Sequence, residues 1–220
     1  MKPNIFVVGP SGSGKSTSIR NLDPKTTAII NIEQKALPFK GAKKFEMNVA
    51  CETIKQVRDA LKKAITSDKV EVIVIESFTA LTEAIYREAS ETYSGFDLWK
   101  EYNEDIDAVL HMSKNTEKYI IFLGIDQVIE SDTGVDERYV QVQGNRWKKS
   151  VEKEFVIVAY TDVHTNDDGE TQYRFVTNKT KGFTNVSAKS PMDMLPTIMK
   201  NDLNQMILMI EDYYNEENED

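Results

Sequence analysis

"GPSGSGKST", residues 9–17, follows the apolar run "NIFVV" of residues 4–8, and its spacing decides the fold. Gly9, four residues, then Gly14, Lys15 and Ser16 make the pattern G-x-x-x-x-G-K-[ST] of a phosphate-binding loop. Glycines at 9, 12 and 14 let the backbone turn back without Cβ clashes. With Pro10, Ser11 and Ser13 they form a loop whose N–H groups can point inward around an anion. Lys15 reaches the β- and γ-phosphates as a point charge. The Ser16 hydroxyl completes a Mg²⁺ shell. Thr17 is the next hydroxyl, a candidate for the α-phosphate. The motif demands a strand before it and a helix after it; "NIFVV" and "KSTSIRNL" supply both.

The chain has 220 residues, 40% of them apolar and 29% charged, ordinary values for one globular α/β domain. No apolar run approaches the roughly 20 residues of a membrane span. The opening "MKPNIFVVGP" has no long apolar signal segment. One cysteine, Cys51, allows no internal disulfide, so the expected compartment is a reducing cytoplasm. The net charge of −9 argues against a passive nucleic-acid binder held by bulk charge, and leaves room for a local basic groove. Part of the acidic excess sits in "EDYYNEENED", residues 211–220, expected as a frayed, solvated end of a single domain over 1–220.

Strand one is expected at 4–8 and a helix to about Asn21. "TTAIINIE" reads as a second strand ending at Glu33. "CETIKQVRDALKKAITS" places Ile54, Val57, Leu61 and Ile65 three or four apart, an amphipathic helix. "VEVIVIES" and "KYIIFLGID" are continuous apolar runs, as in strands buried on both faces. Helices from about 79 to 91 and 97 to 115 lie between them. Such alternation implies a mainly parallel central sheet flanked by helices. After Gln127 the pattern changes. Residues 128–144 suggest a hairpin or loop around "SDTG", and "NRWKKSVEKE" a short helix. "FVIVAYTDVH" and "TQYRFVTNK" suggest a C-terminal β-hairpin, and "NDLNQMILMIEDYY" a closing helix with Asp202 as N-cap.

Ligands of parallel sheets sit at the carboxyl ends of the strands. There strand two delivers Glu33, the "VIVIES" strand Glu76 and Ser77, and the "IIFLGID" strand Asp126 and Gln127. Glu33 can orient and deprotonate a water. Glu76 stands where such proteins carry an Asp that holds Mg²⁺, usually through water; it is one methylene longer, and can also act as a base itself. Gln127 can touch the γ-phosphate. Each can instead cap a helix or meet solvent.

"GPSGSGKST", "IINIEQKAL", "VIVIESFTAL" and "IIFLGIDQV" together resemble the RecA-like recombinase core. "AKSPMDMLP" and "DLNQMILMIEDYY" are similar to the ending of phage-encoded nucleotide-binding proteins, compact RecA-like ATPases that include the Sak-type single-strand annealing recombinases. The resemblance covers nearly the whole chain. It implies a RecA-like P-loop core that binds ATP and Mg²⁺ and forms a homo-oligomer with nucleotide at the subunit interface. It further implies annealing or exchange of single-stranded DNA in the host cytoplasm, with a single-strand DNA-binding protein as another partner. By position, Glu33 becomes the water-activating carboxylate and Gln127 the γ-phosphate sensor. Lys179 and Lys181, in "VTNKTKGF", become charges supplied to a neighbour's phosphate, or remain ordinary exposed lysines.

Two features depart from that family. Glu76 replaces Asp, and residues 128–144, where a DNA-binding loop belongs, hold four acids and one Arg. Downstream, Arg146, Trp147, Lys148 and Lys149 offer a strand-tracking and stacking patch, although a large aromatic such as Trp147 more often packs. Tyr93, Phe96 and Trp99 can stack bases or pack between helices. Rival readings are a small-molecule kinase, whose lid would need more Arg than Arg138 and Arg146, and a non-catalytic ATP switch that recruits replication proteins.

Overall fold

The computed structural model describes residues 1–114, 116–130, 134 and 136–216. The apolar run ahead of the loop forms β1 (Ile5–Val8), buried along its length. β1 pairs in parallel with β5 (Tyr119–Gly124) on one side and with β8 (Ile157–Thr165) on the other. β4 (Val72–Glu76) pairs with β5, β2 (Thr27–Asn31) with β4, and the short β3 (Asn48–Ala50) with β2, all parallel. Beyond β8 the sheet turns antiparallel through β9 (Thr171–Val176) and β10 (Ile198–Lys200). The order is therefore β10-β9-β8-β1-β5-β4-β2-β3. The α/β class, the mainly parallel sheet and the C-terminal hairpin are as expected. β10 is an addition: three residues after a Pro-bracketed connection carry no period that marks a strand.

Because strand side chains alternate, β1 feeds two cores. Phe6 and Val8 meet α1 (Ile54–Thr66), α2 (Phe78–Thr92) and α3 (Gly95–Met112) through residues such as Leu61, Phe78 and Ile106. Ile5 and Val7 lie in the opposite core with Ile19 and with Leu203, Met206 and Ile210 of α4 (Leu203–Glu216). Phe6 is the hub of an aromatic cluster, 5.3 Å from the Phe78 ring and 4.6 Å from that of Phe155. α1 starts with a reciprocal capping box between Thr53 and Gln56. Asp202 caps α4 as expected, accepting from the N–H groups of Asn204 and Gln205 at 3.1 and 3.2 Å. α4 takes in residues 211–216 of the stretch expected to fray; residues 217–220 lie outside the described residues.

Four expectations need correction. The segment after the loop is a six-residue 3₁₀ helix, Ser16–Asn21. Ser18 Oγ bonds the Lys15 carbonyl, a local bond to the backbone that holds the tighter turn. β2 ends at Asn31, two residues before Glu33. Asp126 and Gln127 do not end β5. They begin β6 (Asp126–Ile129), which pairs antiparallel with β7 (Glu137–Val140) in a separate hairpin, the expected connection around "SDTG" lying largely outside the described residues. Lys179 lies three residues past the end of β9, outside the strand, and is exposed.

The β6–β7 hairpin is pinned to the core by Glu152, 3% exposed, which accepts from Val140 N–H at 2.7 Å. Burial pushes the Glu152 carboxyl up; the bonds from Val140 and Tyr160 and the Lys189 charge only partly offset this. A raised acid contributes stability below the ordinary carboxylate value and loses it as pH rises through its own folded value. Glu152→Gln cannot ionise. Its stability relative to the unsubstituted protein should therefore improve as pH rises from about 4.3 through that raised value, then level off. Urea midpoints across this range check it; a pH-independent difference contradicts it.

Candidate functional site

Phosphate-binding loops need glycines where the backbone is crowded, and Gly9 shows why. A Cβ built on Gly9 would stand 1.7 Å from Thr161 Oγ1 of β8. Thr161 donates to Ser13 Oγ at 2.6 Å, and Ser13 donates to the Pro10 carbonyl at 2.7 Å. Gly9, Pro10 and Ser13 thus fasten the loop to the sheet. Gly12 and Gly14 hold positive φ of 77° and 92°, and Ser11, Gly12, Gly14, Lys15, Ser16 and Thr17 line a cleft of about 1050 Å³. Lys15 Nζ donates to the Gly9 and Pro10 carbonyls, both at 2.8 Å. Phosphate oxygens can replace those two acceptors. Burial lowers the Lys15 pKa, against the raising pull of Glu76, Asp126 and Glu33.

The expected carboxylates meet here. Ser16 Oγ donates to Glu76 Oε1 at 2.7 Å. The other oxygen, Oε2, is buried without a partner among the described residues. Burial pushes the Glu76 carboxyl up, Ser16 pulls it down, and the Glu33 charge adds to the rise. Glu33, past the end of β2, is carried to the same place by its backbone, since Ile32 and Glu33 N–H both point at the Glu76 carbonyl, at 2.6 and 3.3 Å. Its side chain accepts from Ser77 Oγ at 2.9 Å and from Lys35 Nζ at 2.8 Å. Burial alone would raise Glu33; the bonds from Lys35 and Ser77 and the nearby lysine charges overcome this and hold it below its usual value. Ser77 also caps α2, so the helix start orients Glu33. A buried carboxylate oxygen beside a hydroxyl is a hard-oxygen pair that suits Mg²⁺, which usually takes one or two protein oxygens and completes its shell with waters and phosphate.

Other expected residues lie elsewhere. Gln127 does not line the cleft: its amide nitrogen donates to the Val140 carbonyl at 3.2 Å, inside the β6–β7 hairpin. Asp126 is engaged by Arg138 at 2.7 Å. Lys179 stands outside the cleft. The 146–149 patch is largely committed within the chain. Trp147 is 3% exposed and packs in the core, so it is not a stacking platform. Arg146 pairs with Asp107 at 2.7 Å and Lys149 with Glu137 at 2.9 Å. Trp99, 37% exposed, packs against the Tyr86 and Tyr102 rings, while Phe96 is 83% exposed.

The far wall of the cleft was not foreseen. It is built by β9 and β10 with Tyr173, Arg174, Lys200 and Asn201. Arg174 is held by Asp162 across the hairpin, with Nε to Oδ2 at 3.0 Å. The wall is tied to the loop by Asn21 Nδ2, which donates to Asp202 Oδ2 at 2.6 Å. The sequence signals Asp202 only as a helix cap and gives no sign that its neighbour faces the loop.

Residues 1–192 match a protein-family model described as an AAA domain. Among solved structures, the chain is similar to a KaiC-like protein of the hyperthermophilic archaeon Pyrococcus horikoshii OT3, with 12% identity and a TM-score of 0.46, over 90% of this chain and 88% of that one. No curated protein matches the chain.

The fit of Gly9 against Thr161 can be tested without any ligand. Gly9→Ala should lower stability by about 1–3 kcal/mol through overpacking, read from urea unfolding. Adding Thr161→Ala, which removes the nearest atom, should restore part of the loss. If the double variant is no more stable than Gly9→Ala, the crowding lies elsewhere.

Proposed function

The chain belongs to the AAA domain family of P-loop NTPases, and from that premise we propose that it hydrolyses ATP in the cleft between the loop and the β9–β10 wall. One observation carries this reading: a buried carboxylate, Glu76, bonded to the Ser16 hydroxyl at 2.7 Å, at the foot of a cleft that also holds Lys15 and Glu33. The loop N–H groups and Lys15 bind the phosphates. The six-residue 3₁₀ helix gives them only a short dipole, so most of the anion's stabilisation falls to the loop and Lys15. Ser16 and Glu76 would hold Mg²⁺, which when bound neutralises charge on the β- and γ-oxygens.

Glu33 then acts on water. Its lowered pKa keeps it ionised near neutral pH. As the water oxygen bonds to the γ-phosphorus, Glu33 takes its proton, and the bond from the γ-phosphorus to the bridging oxygen breaks with its electron pair leaving on ADP. Ser77 and Lys35 hold the carboxylate in place from two sides. Neither Gln127 nor Lys179 takes part within one chain. Lys179, exposed and outside the cleft, acts on a neighbouring subunit's phosphates in a homo-oligomer.

The reading extends to single-stranded DNA in recombination or annealing. Support for this half comes from the four motif stretches resembling RecA-like recombinases. Any phosphate contacts at 146–149 come from Arg146, Lys148 and Lys149, with Arg146 and Lys149 exchanging Asp107 and Glu137 for phosphate. Trp147 stays in the core.

Steady-state ATP hydrolysis with Mg²⁺ tests the proposal. Lys15→Ala should abolish tight Mg-ATP binding. Glu33→Gln should keep binding and cut turnover at least ~100-fold; a near-normal rate removes Glu33 from the chemistry. Single-stranded DNA should stimulate hydrolysis, and a rate indifferent to DNA overturns that half alone. Lys179→Ala should slow assemblies and leave binding intact; a monomer at full rate refutes the contribution in trans.

A further inference from the structure

Asn201 is 2% exposed, yet neither its amide nitrogen nor its amide oxygen has a hydrogen-bond partner among the described residues. Leaving both ends of a buried amide unpaired is costly. The rest of the residue is well fixed. Its N–H donates to the Tyr173 carbonyl at 3.1 Å. The next residue, Asp202, caps α4 and accepts from Asn21. The side chain is therefore held in place while its polar end goes unused.

That end lies against the phosphate-binding loop. A Cβ built on Gly14 would stand 3.2 Å from Asn201 Nδ2 and 3.0 Å from the Tyr173 ring. Both residues line the cleft, as do Thr17 and Arg20. The phosphates have a direction within it. Glu33 and Glu76 mark the γ end, Lys15 and Ser16 the middle, and Thr17 the α end. Arg20, three residues past Thr17, lines the same cleft as Tyr173 and Asn201 of the wall. A cleft of about 1050 Å³ has room for a whole nucleotide. The base must lie where the phosphates end.

We propose that Asn201 reads the nucleotide base and selects adenine. This rests on the nucleotide-binding reading of the cleft. An amide offers one donor beside one acceptor, and adenine presents the complement, an N6 amino group beside the N7 acceptor. On the same edge guanine shows two acceptors, O6 and N7, and the Asn201 oxygen stays unpaired. The Tyr173 ring, 46% exposed beside the same glycine, moves aside as the base enters and covers one of its faces. Asn201 lies beyond the matched residues 1–192, so the family likeness does not supply this role.

Competition against a fluorescent ADP analogue, with Mg²⁺ and with ATP, GTP or inorganic tripolyphosphate, tests the assignment. The unsubstituted protein should prefer ATP over GTP by about 5- to 100-fold, the discrimination of one bidentate amide–base pair. Asn201→Leu should bring that ratio close to one and leave tripolyphosphate binding unchanged. Asn201→Asp, an acceptor-only side chain that has no donor for N7, should weaken ATP binding. 7-Deaza-ATP, which lacks N7, should bind the unsubstituted protein about 2- to 10-fold more weakly than ATP, a readout that needs no variant to fold.

Equal losses for ATP, GTP and tripolyphosphate in Asn201→Leu would make the residue a packing element and overturn the proposal. So would an unchanged ratio, or 7-deaza-ATP binding as tightly as ATP. If tripolyphosphate and ATP bind in a Lys15-dependent way while the ratio ignores position 201, only the base assignment falls. If the unsubstituted protein binds none of the three, the nucleotide reading falls with it.

Discussion

Ser16 and Glu76 belong to elements that the sheet does not pair, since β5 stands between β1 and β4. Their 2.7 Å hydrogen bond bridges that gap at the strand ends. It places the loop relative to β4, and the Glu76 carbonyl in turn receives the N–H groups of Ile32 and Glu33, which fixes the chain leaving β2. Three segments far apart in sequence thus share one short residue pair. The cost is a buried carboxylate with one oxygen that has no partner among the described residues. A cation would supply what that oxygen lacks.

The two glutamates show how equal chemistry is separated by environment. Glu76 is buried and raised, with one hydroxyl donor. Glu33 is lowered, with two donors, one of them a lysine. One is suited to share its charge with a cation, the other to stay an ionised base. Their difference follows from position along the strand ends: Glu76 is the last residue of β4, inside the sheet, and Glu33 lies two residues outside β2.

Local patterns were legible in the sequence. The loop spacing located Lys15 and Ser16, the buried strands were visible as continuous apolar runs, and the strand-end rule brought Glu33 and Glu76 to one place. Reading failed where a residue's fate depends on what approaches from afar. Gln127 looked like a strand-end sensor because "IIFLGIDQV" reads as one run, and nothing local says that the chain breaks after Gly124 to start a hairpin. Trp147 sits among basic residues that suggested a stacking patch, and its size favoured packing instead; it packs in the core. Asn201 was invisible because its meaning is its contact with Gly14, far back along the chain. Helix start residues and apolar periods are properties of a window; cleft walls are not.

The bonds that close the cleft join partners 148 positions apart, Thr161 to Ser13, and 181 apart, Asn21 to Asp202. During synthesis the chain emerges with the loop first and its wall long afterwards. Until β8 appears, β1 has a neighbour on one edge only, an unpaired strand edge beside a glycine-rich turn. The loop gains its Thr161 anchor, and the wall its Asn21–Asp202 bond, only once these distant segments are made. The antiparallel end of the sheet is thus the last part of the cleft to be built, and a chain that ends before β8 lacks both bonds.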